Sequence, residues 1–226
     1  MNVRKYVKGS DYMKNVEIEL KLLLDEQDLK KLLASELLQG VLREGSEKKR
    51  NLVSCYYDTA DLMLKKHGIA YRVRDKGDGT FEATIKTDKK SKEGLSERLE
   101  LNLPLTENVA VLEGFGAMGL GFELTELAPN GVEKLFTVAV ERTTYLLDLE
   151  GAVVEVAIDN GKIYANGKED AIDEVELELV EGKVEAMLEF VEQMAKLVTV
   201  RAEKRSKFAR GLVLIGLESD LPSSKA

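Results

Sequence analysis

The sequence predicts an α+β protein built around a closed antiparallel β-barrel of about eight strands, with a charged lumen and helices packed outside. Two observations lead to this fold class. Strand-like segments follow one another with hairpin-like connections, as in a meandering antiparallel sheet. In five of these segments, acidic or basic residues alternate with Val, Ile or Leu. A barrel whose apolar face points outward, against helices, satisfies both patterns.

Composition limits the class of protein. The chain has 226 residues, of which 44% are hydrophobic, and this supports one domain with a sizeable core. It contains no run of 18 apolar residues and no apolar core of a signal peptide, so we expect a soluble cytoplasmic protein without membrane contact. A net charge of −8 and the lack of a long basic run argue against a nucleic-acid partner.

Cysteine and histidine are too scarce for several kinds of site. Cys55 is the only cysteine and His67 the only histidine, so a disulfide, a Cys or His zinc site and a Ser-His-Asp triad are excluded. A metal would therefore be held by carboxylates, which favours hard cations such as Mg²⁺ or Mn²⁺. The roles of Cys55 and His67 stay open.

The organisation along the chain predicts an extension, one domain and a tail. Residues 1–12 lack any periodicity and are expected to be a disordered extension. Residues 13–216 form the single predicted domain. Residues 217–226 have the composition of a disordered tail.

The first half of the domain alternates strands with short helices. A strand at 16–24 leads to Asp25, the predicted N-cap of a helix that carries leucines at helical spacing as far as Leu37. A strand at 49–58 is followed by a short helix, capped by Thr59 and ended by Gly68. Strands at 69–74 and 80–86 flank a hairpin turn, and a further strand spans 95–103.

The second half is richer in strands. Residues 106–127 are expected to form one or two short helices in a glycine-rich region. Strands are predicted at 136–141 and 144–149, and at 153–159 and 162–165 on either side of an Asn160-Gly161 hairpin turn. A strand at 172–180 then precedes an amphipathic helix over 184–200. Its predicted apolar side carries Leu188, Val191, Ala195 and Val198.

Charged residues occupy alternate positions of five strands, whereas an ordinary solvated face would also carry Ser, Thr, Asn and Gln. Like charges on one strand face repel one another unless opposite charges or bound ions face them. Any single pair could still be a surface ion pair of little energetic value. The residues are Glu17, Glu19 and Lys21; Arg72 and Arg74; Arg98 and Glu100; Glu155 and Asp159; and Glu174, Glu176 and Glu178.

An acidic and a basic sector that face each other across a narrow lumen suit a divalent cation together with a polyanion. Carboxylates hold the cation, and the cation, with arginine and lysine, holds phosphate oxygens. On this interpretation, Glu17 and Glu19 are metal ligands and Lys21 beside them binds phosphate.

An ordered series of motifs resembles the CYTH domain of the triphosphate tunnel metalloenzymes, over about residues 16–214. The motifs are Glu17-Ile-Glu19-Leu-Lys21; Tyr57-Asp-Thr-Ala-Asp61; Arg72-Val-Arg74; Thr84-Ile-Lys86; Arg98-Leu-Glu100; Glu141-Arg142-Thr143; Glu155-Val-Ala-Ile-Asp159-Asn-Gly161; Glu174-Val-Glu176-Leu-Glu178; and Ser206-Lys207. The resemblance implies an eight-stranded barrel that forms a tunnel, depends on one or two Mg²⁺ or Mn²⁺ ions and acts on triphosphates.

The resemblance also implies roles for individual residues. Three assignments have an alternative. Glu178 shares the strand face of the ligands but can lie beyond the metal, and Glu155 can orient a ligand without binding the metal itself. Lys204 competes with Lys207 for the last position in the basic set. The implied metal ligands are Glu17, Glu19, Glu100, Asp159, Glu174, Glu176 and Glu178. The implied substrate-binding residues are Lys21, Arg72, Arg74, Lys86, Arg98, Arg142 and Lys204 or Lys207. Glu17, Glu19, Lys21 and Arg74 are the candidates for direct catalytic roles.

The activity implied is hydrolysis of a triphosphate by metal-activated water inside the tunnel, with inorganic triphosphate, cleaved to pyrophosphate and phosphate, as the first candidate. Three alternatives stay open: a class IV adenylate cyclase that makes cyclic AMP from ATP, a thiamine triphosphatase, and a noncatalytic module that binds polyphosphate. Thiamine triphosphate would call for an aromatic tunnel mouth, which a chain with no Trp and 6% aromatic residues supports weakly. The expected partner is a small-molecule triphosphate, and a homodimer is compatible with the resemblance.

Overall fold

A computed structural model of the chain describes residues 15–87, 90–92 and 95–218. The predicted extension at 1–12 and the predicted tail beyond residue 218 lie outside the described residues. Within them, eight strands close into an antiparallel barrel in the order β1-β9-β8-β7-β2-β3-β4-β6, and β6 pairs back onto β1. The predicted barrel is therefore confirmed.

Most of the observed strands are longer than the strands predicted from the sequence. Two short strands, β5 and β10, lie outside the ring and pair with β6 and β1 respectively. The strands are β1 (Val16–Leu23), β2 (Lys48–Asp58), β3 (Ile69–Asp75), β4 (Phe81–Thr87), β5 (Lys90–Lys92), β6 (Leu95–Leu105), β7 (Glu133–Leu149), β8 (Ala152–Ala165), β9 (Lys168–Gly182) and β10 (Arg201–Ala202).

The hairpin predicted at Asn160-Gly161 is wrong, because β8 runs straight through both residues. The turn lies instead at Asn166-Gly167, where both residues have positive φ (49° and 73°), as a two-residue hairpin turn requires. Gly161 serves another purpose, since a Cβ there would lie 2.1 Å from the carbonyl oxygen of Ala139 on β7. The glycine allows close strand approach rather than a turn. The break predicted between 141 and 144 is likewise absent, because β7 is continuous.

Five α-helices accompany the described strands: α1 (Glu26–Leu33), α2 (Glu36–Gln39), α3 (Met63–Lys66), α4 (Val184–Leu197) and α5 (Lys207–Leu214). The short helices expected within 106–127 are a π-helical turn (Gly116–Leu120) and a 3₁₀ turn (Leu124–Glu126). Asp25 caps α1 as predicted, because its side chain accepts a hydrogen bond from the Asp28 amide at 2.8 Å. The single helix predicted behind Asp25 is divided at Ser35, which caps α2. Among the described residues, no helix is both long and apolar enough to cross a membrane.

Two predicted helices differ in detail. The helix expected after Thr59 begins only at Met63, since the buried carboxylate of Asp58 accepts hydrogen bonds from the Leu64 and Lys65 amides. Helix α4 ends at Leu197 and buries Met187, Phe190 and Met194. Of the predicted apolar side, Val191 packs against the same core and Val198, just beyond the helix, is buried in it. Ala195 is exposed.

Helix α5 and the aromatic side chains beside it shape one end of the barrel. Helices α1 and α4 pack on the outer face of the sheet through Leu32, Met187 and Phe190. In contrast, Leu212 of α5 packs with residues that share the inward face of β7, β8 and β9, namely Phe136, Ile163 and Ile172. The interior is therefore apolar where α5 covers it and charged farther along the lumen.

Gly211 allows α5 to approach Phe136. An alanine Cβ at this position would lie 2.2 Å from Phe136 Cζ. Replacing glycine by alanine inside an exposed helix ordinarily stabilises it by about 1 kcal/mol. We expect the opposite sign for Gly211→Ala, with a lower midpoint of urea or thermal unfolding, because the clash displaces the helix. A variant at least as stable as the wild type would contradict the packing of α5 on Phe136.

Candidate active site

A cavity of about 260 Å³ occupies the barrel interior and is lined mainly by charged side chains. We call it the lumen cavity. The pairing register explains its charge pattern, because inward residues of neighbouring strands face each other with opposite sign: Lys21 faces Glu176, Arg98 faces Glu17, and Lys86 faces Glu100. Its described acidic and basic residues are Glu17, Glu19, Lys21, Arg72, Arg74, Glu82, Lys86, Arg98, Glu100, Arg142, Glu176, Glu178 and Lys207.

The acidic residues of β1 are bound by cations from β4 and β6. Glu17 accepts hydrogen bonds from Lys86 Nζ and Arg98 Nε, both at 2.6 Å. Glu19 Oε1 lies 2.6 Å from both Lys21 Nζ and Arg98 Nη2. Both glutamates are at least nine-tenths buried. The predicted metal ligands Glu17 and Glu19 and the predicted phosphate-binding residues are thus brought together, and in this structure they neutralise one another.

Lys207 lies at the centre of the second acidic group. Its Nζ is 2.8 Å from Asp159 Oδ2, 2.8 Å from Glu174 Oε2 and 2.9 Å from Glu176 Oε1. Burial alone would lower the pKa of Lys207, but the carboxylates of Glu176, Asp159 and Glu174 raise it above its usual value. Arg142 binds Asp159 through two hydrogen bonds of 2.6 Å and also reaches Glu176.

Two arginines of β3 have few anionic contacts. Arg72 Nη2 approaches Glu100 only to 3.9 Å, and its buried Nε has no hydrogen-bond partner. Arg74 Nε donates to Ser54 Oγ at 2.9 Å, and no described carboxylate lies within 4 Å of its guanidinium. Burial, with the neighbouring cations Arg72 and Arg142, lowers the pKa of Arg74 to about 9. The guanidinium is still charged at neutral pH and has capacity for an anion.

Glu178 is the acidic counterpart of these arginines. It lies directly opposite Glu19 on β1 and Glu155 on β8, so that three glutamates form a row across three strands. Burial raises the pKa of Glu178 to about 8, and Glu17, Glu100 and Glu155 add to the rise. No cationic side chain of the described residues lies within 4 Å of its carboxylate, and a bound cation would relieve the repulsion in this row.

The donor chemistry of the lumen fits a hard divalent cation. Its acidic groups are carboxyls, which are the ligands that such cations prefer, and no cationic side chain of the described residues lies close to Glu178. In the parts of the chain that the structure describes, no three acidic, His or Cys side chains form a ready metal cluster, because lysine and arginine side chains lie between the carboxylates. A cation would therefore have to displace some of these ion pairs.

The remaining predicted residues lie at or beyond the edge of this cavity. Lys204 is exposed and does not line it, whereas Lys207 does. Glu155 lines a neighbouring cavity instead. Asp159 and Glu174 are fully buried behind Lys207 and Arg142.

The sequence patterns did not indicate a role in the site for Arg210. Its Nη1 donates to Glu174 Oε1 at 2.8 Å, and its Nη2 lies 2.6 Å from Asp170 Oδ2. Arg210 follows Lys207 by three residues on α5, so the two cations share one helix face and reach the same glutamate. The signal that could have indicated this role is Ser206, an N-cap residue at the start of an amphipathic helix that carries both cations. The Ser206 side chain accepts a hydrogen bond from the Ala209 amide.

The comparison with known families agrees with this arrangement. A model of the CYTH domain matches residues 15–212, almost the whole of the described barrel. The chain belongs to the CYTH domain family. In this CYTH domain, all eight strands of the closed ring and helix α5 fall within the matched range or overlap it.

The CYTH domain has relatives of known name and structure. It is 32% identical over 204 residues to an inorganic triphosphatase from Haemophilus influenzae, and the alignment covers 88% of this chain and 54% of that protein. The chain thus spans about half the length of that relative. A solved structure from Hippeastrum, reported to have a dominant triphosphatase activity, shares the fold with a TM-score of 0.60 at 21% identity, covering 87% of this chain and 95% of that one. A Pyrococcus horikoshii protein shares it with a TM-score of 0.55 at 19% identity, covering 88% and 98%.

Proposed function

We propose that this CYTH domain hydrolyses a terminal phosphoanhydride bond of a triphosphate, with inorganic triphosphate as the first candidate and Mg²⁺ or Mn²⁺ as the cofactor. The observation that carries the proposal is that basic and acidic groups without a close counter-charge lie inside one closed lumen. The raised pKa of Glu178, about 8, keeps its carboxyl largely protonated near neutral pH until a cation binds. Arg74 and Arg72 lack close carboxylates, and Glu178 lacks a close cation. A polyanion together with a divalent cation satisfies both. The named triphosphatase from Haemophilus influenzae supports the choice of reaction.

The charge of the lumen also favours a cation as part of the complex. Seven basic and six acidic side chains among the described residues line the cavity. This near balance cannot neutralise a triphosphate, which carries several negative charges. We propose that Glu178, with Glu17 and Glu100, holds the cation. When bound, it would supply Lewis acidity and neutralise phosphoryl charge.

The cationic side chains would bind and orient the substrate. Arg74 and Arg72 are placed to donate hydrogen bonds to phosphate oxygens without first giving up a short ion pair. Lys86 and Arg98 would exchange their contacts with Glu17 for contacts with phosphate, which releases that glutamate toward the cation. Once this exchange has taken place on binding, the donors are held by strands of a closed barrel, and the stabilisation of negative charge that develops in the reaction needs little further reorganisation.

Attack by water needs no nucleophilic side chain in this scheme. Among the described residues, neither His67 nor Cys55 lines the lumen cavity. His67 lies at the end of α3, with Nδ1 2.7 Å from the Met63 carbonyl oxygen. Charge neutralisation and positioning are therefore proposed to carry catalysis, as is usual in phosphoryl transfer.

Metal removal tests the proposal. We expect the purified chain to release phosphate from inorganic triphosphate in the presence of Mg²⁺ or Mn²⁺, and to lose this activity when EDTA is added. Restoring the metal in excess over EDTA should restore the rate, and a colorimetric phosphate assay measures all three states. Turnover that persists after exhaustive metal removal would contradict the mechanism. Tight binding of triphosphate without turnover would identify a noncatalytic binding module.

An organic triphosphate is the second candidate substrate. Tyr56 and Phe208 line the lumen cavity, with ring centroids 5.6 Å apart, so aromatic surface does occur at the end covered by α5. This observation gives thiamine triphosphate and ATP more support than the aromatic content alone. A panel of inorganic triphosphate, thiamine triphosphate and ATP, with product analysis for cyclic AMP, would separate a triphosphatase from a cyclase.

A further inference from the structure

A second cavity of about 220 Å³ lies at the end of the lumen away from α5. We call it the basic vestibule and define it by Lys48 and Arg50 at the start of β2, Lys76 just beyond the end of β3, and Arg74 and Arg142 from the lumen. Antiparallel pairing brings the start of β2 beside the end of β3, because Val53 pairs with Asp75. Glu82 and Glu155 are the two carboxylates in its lining.

The vestibule is continuous with the lumen cavity through shared walls. Arg74, Glu82 and Arg142 line both cavities. Arg74 is the guanidinium with no described carboxylate within 4 Å, so the cation with most capacity for an anion lies where the cavities meet. A linear anion bound to Arg74 in the lumen can therefore continue into the vestibule.

The outer cations of the vestibule are only partly neutralised. Lys76 Nζ lies 2.7 Å from Glu82 Oε2, which leaves Lys76 and Glu82 neutral as a pair. Arg50 approaches Asp78 only to 3.9 Å, and no described acidic side chain lies within 4 Å of Lys48 Nζ. In a protein with a net charge of −8, this concentration of positive charge at one mouth of the barrel favours an anion.

We propose that the basic vestibule binds the part of a linear phosphate chain that extends beyond the third phosphate, so that Lys48 and Arg50 determine the accepted chain length. The ligand class is an inorganic polyphosphate of four or more units, bound with one end in the lumen cavity. This inference rests on the proposed function, since it uses the same lumen for the reacting end. Triphosphate itself fills only the lumen and does not need the outer cations.

The test compares chain lengths in a variant with two substitutions, Lys48→Gln and Arg50→Gln. The values of kcat/KM are measured with inorganic triphosphate, tetraphosphate and a longer linear polyphosphate, each with Mg²⁺. We expect kcat/KM for the longer chains to fall about tenfold or more, the factor for losing two partly exposed ion pairs. For triphosphate we expect a change of less than about twofold. A Lys49→Gln variant is the matched control, because Lys49 lies between the two on the opposite strand face.

The outcomes separate this inference from the proposed function. Equal loss for all chain lengths, or no affinity of the wild type for tetraphosphate and longer chains, would overturn the chain-length role. If the wild type does not hydrolyse triphosphate, the proposed function fails. The vestibule is then judged by calorimetric binding alone: tighter binding of long chains than of triphosphate, weakened only in the double variant, supports it, and equal binding overturns it.

Discussion

Replacing Arg74 by alanine should reduce kcat/KM for inorganic triphosphate by about 10²–10³-fold, the usual loss when one preorganised donor to developing charge is removed. Arg74 is placed to bind an anion, because its guanidinium has Ser54 but no described carboxylate as a close partner. Steady-state kinetics of phosphate release measures the loss. The fold should survive, since the cost of burying this cation disappears with it.

Stability measurements distinguish this catalytic effect from misfolding. The unfolding midpoint of Arg74→Ala should equal or exceed that of the wild type, and added triphosphate should raise the wild-type midpoint more than that of the variant. Arg43→Ala is a suitable control, because Arg43 is exposed and pairs with Asp148 outside the barrel. Wild-type turnover in Arg74→Ala would remove Arg74 from the mechanism.

The closed ring and its charged interior could be predicted because the sequence records them locally. In five strand segments, charged residues alternate with apolar ones, and this run of charges is unusual for a solvated face. Cross-strand pairing then makes those charges complementary, as between Lys21 and Glu176 or Lys86 and Glu100. This complementarity depends on the pairing register. The alternation determines which side chains of a strand point inward, but not which strand is its partner.

Features that depend on distant packing could not be predicted in the same way. Asn160-Gly161 has the local composition of a hairpin turn, but Gly161 is needed because β7 approaches too closely for a Cβ. Arg210 is an ordinary helical arginine until α5 docks and brings it to Glu174. In both cases the role of the residue depends on a contact with a residue far away in sequence, and the periodicity of the local sequence contains no information about that contact.

The lumen also explains how a site for highly charged ligands remains folded without them. Lysine and arginine side chains stand in for the cation at the carboxylates, and carboxylates stand in for phosphates at the basic groups. Binding would then exchange partners rather than create new charges in a buried space. Such an exchange avoids most of the desolvation cost that an isolated buried charge would impose.

Lys207 provides the strongest test of this exchange. Replacing it by methionine should lower the free energy of unfolding by about 3–5 kcal/mol, because three buried carboxylates lose a shared cation. Asp159, Glu174 and Glu176 would then face one another with Arg142, Arg210 and Lys21 as remaining partners. Urea unfolding monitored by circular dichroism measures the change. Lys204→Met is the matched control, since this exposed lysine precedes Lys207 by three residues and does not line the lumen cavity.

The metal dependence of the same variant decides whether the ammonium occupies a cation position. If Asp159, Glu174 and Glu176 accept a divalent cation once Lys207 is gone, Mg²⁺ or Mn²⁺ should recover part of the lost stability in Lys207→Met and have a smaller effect on Lys204→Met. If metal stabilises both variants equally, Asp159, Glu174 and Glu176 do not hold a cation, which leaves the proposed site at Glu178, Glu17 and Glu100. A Lys207→Met protein as stable as the wild type would show that these carboxylates do not depend on the lysine for their charge balance.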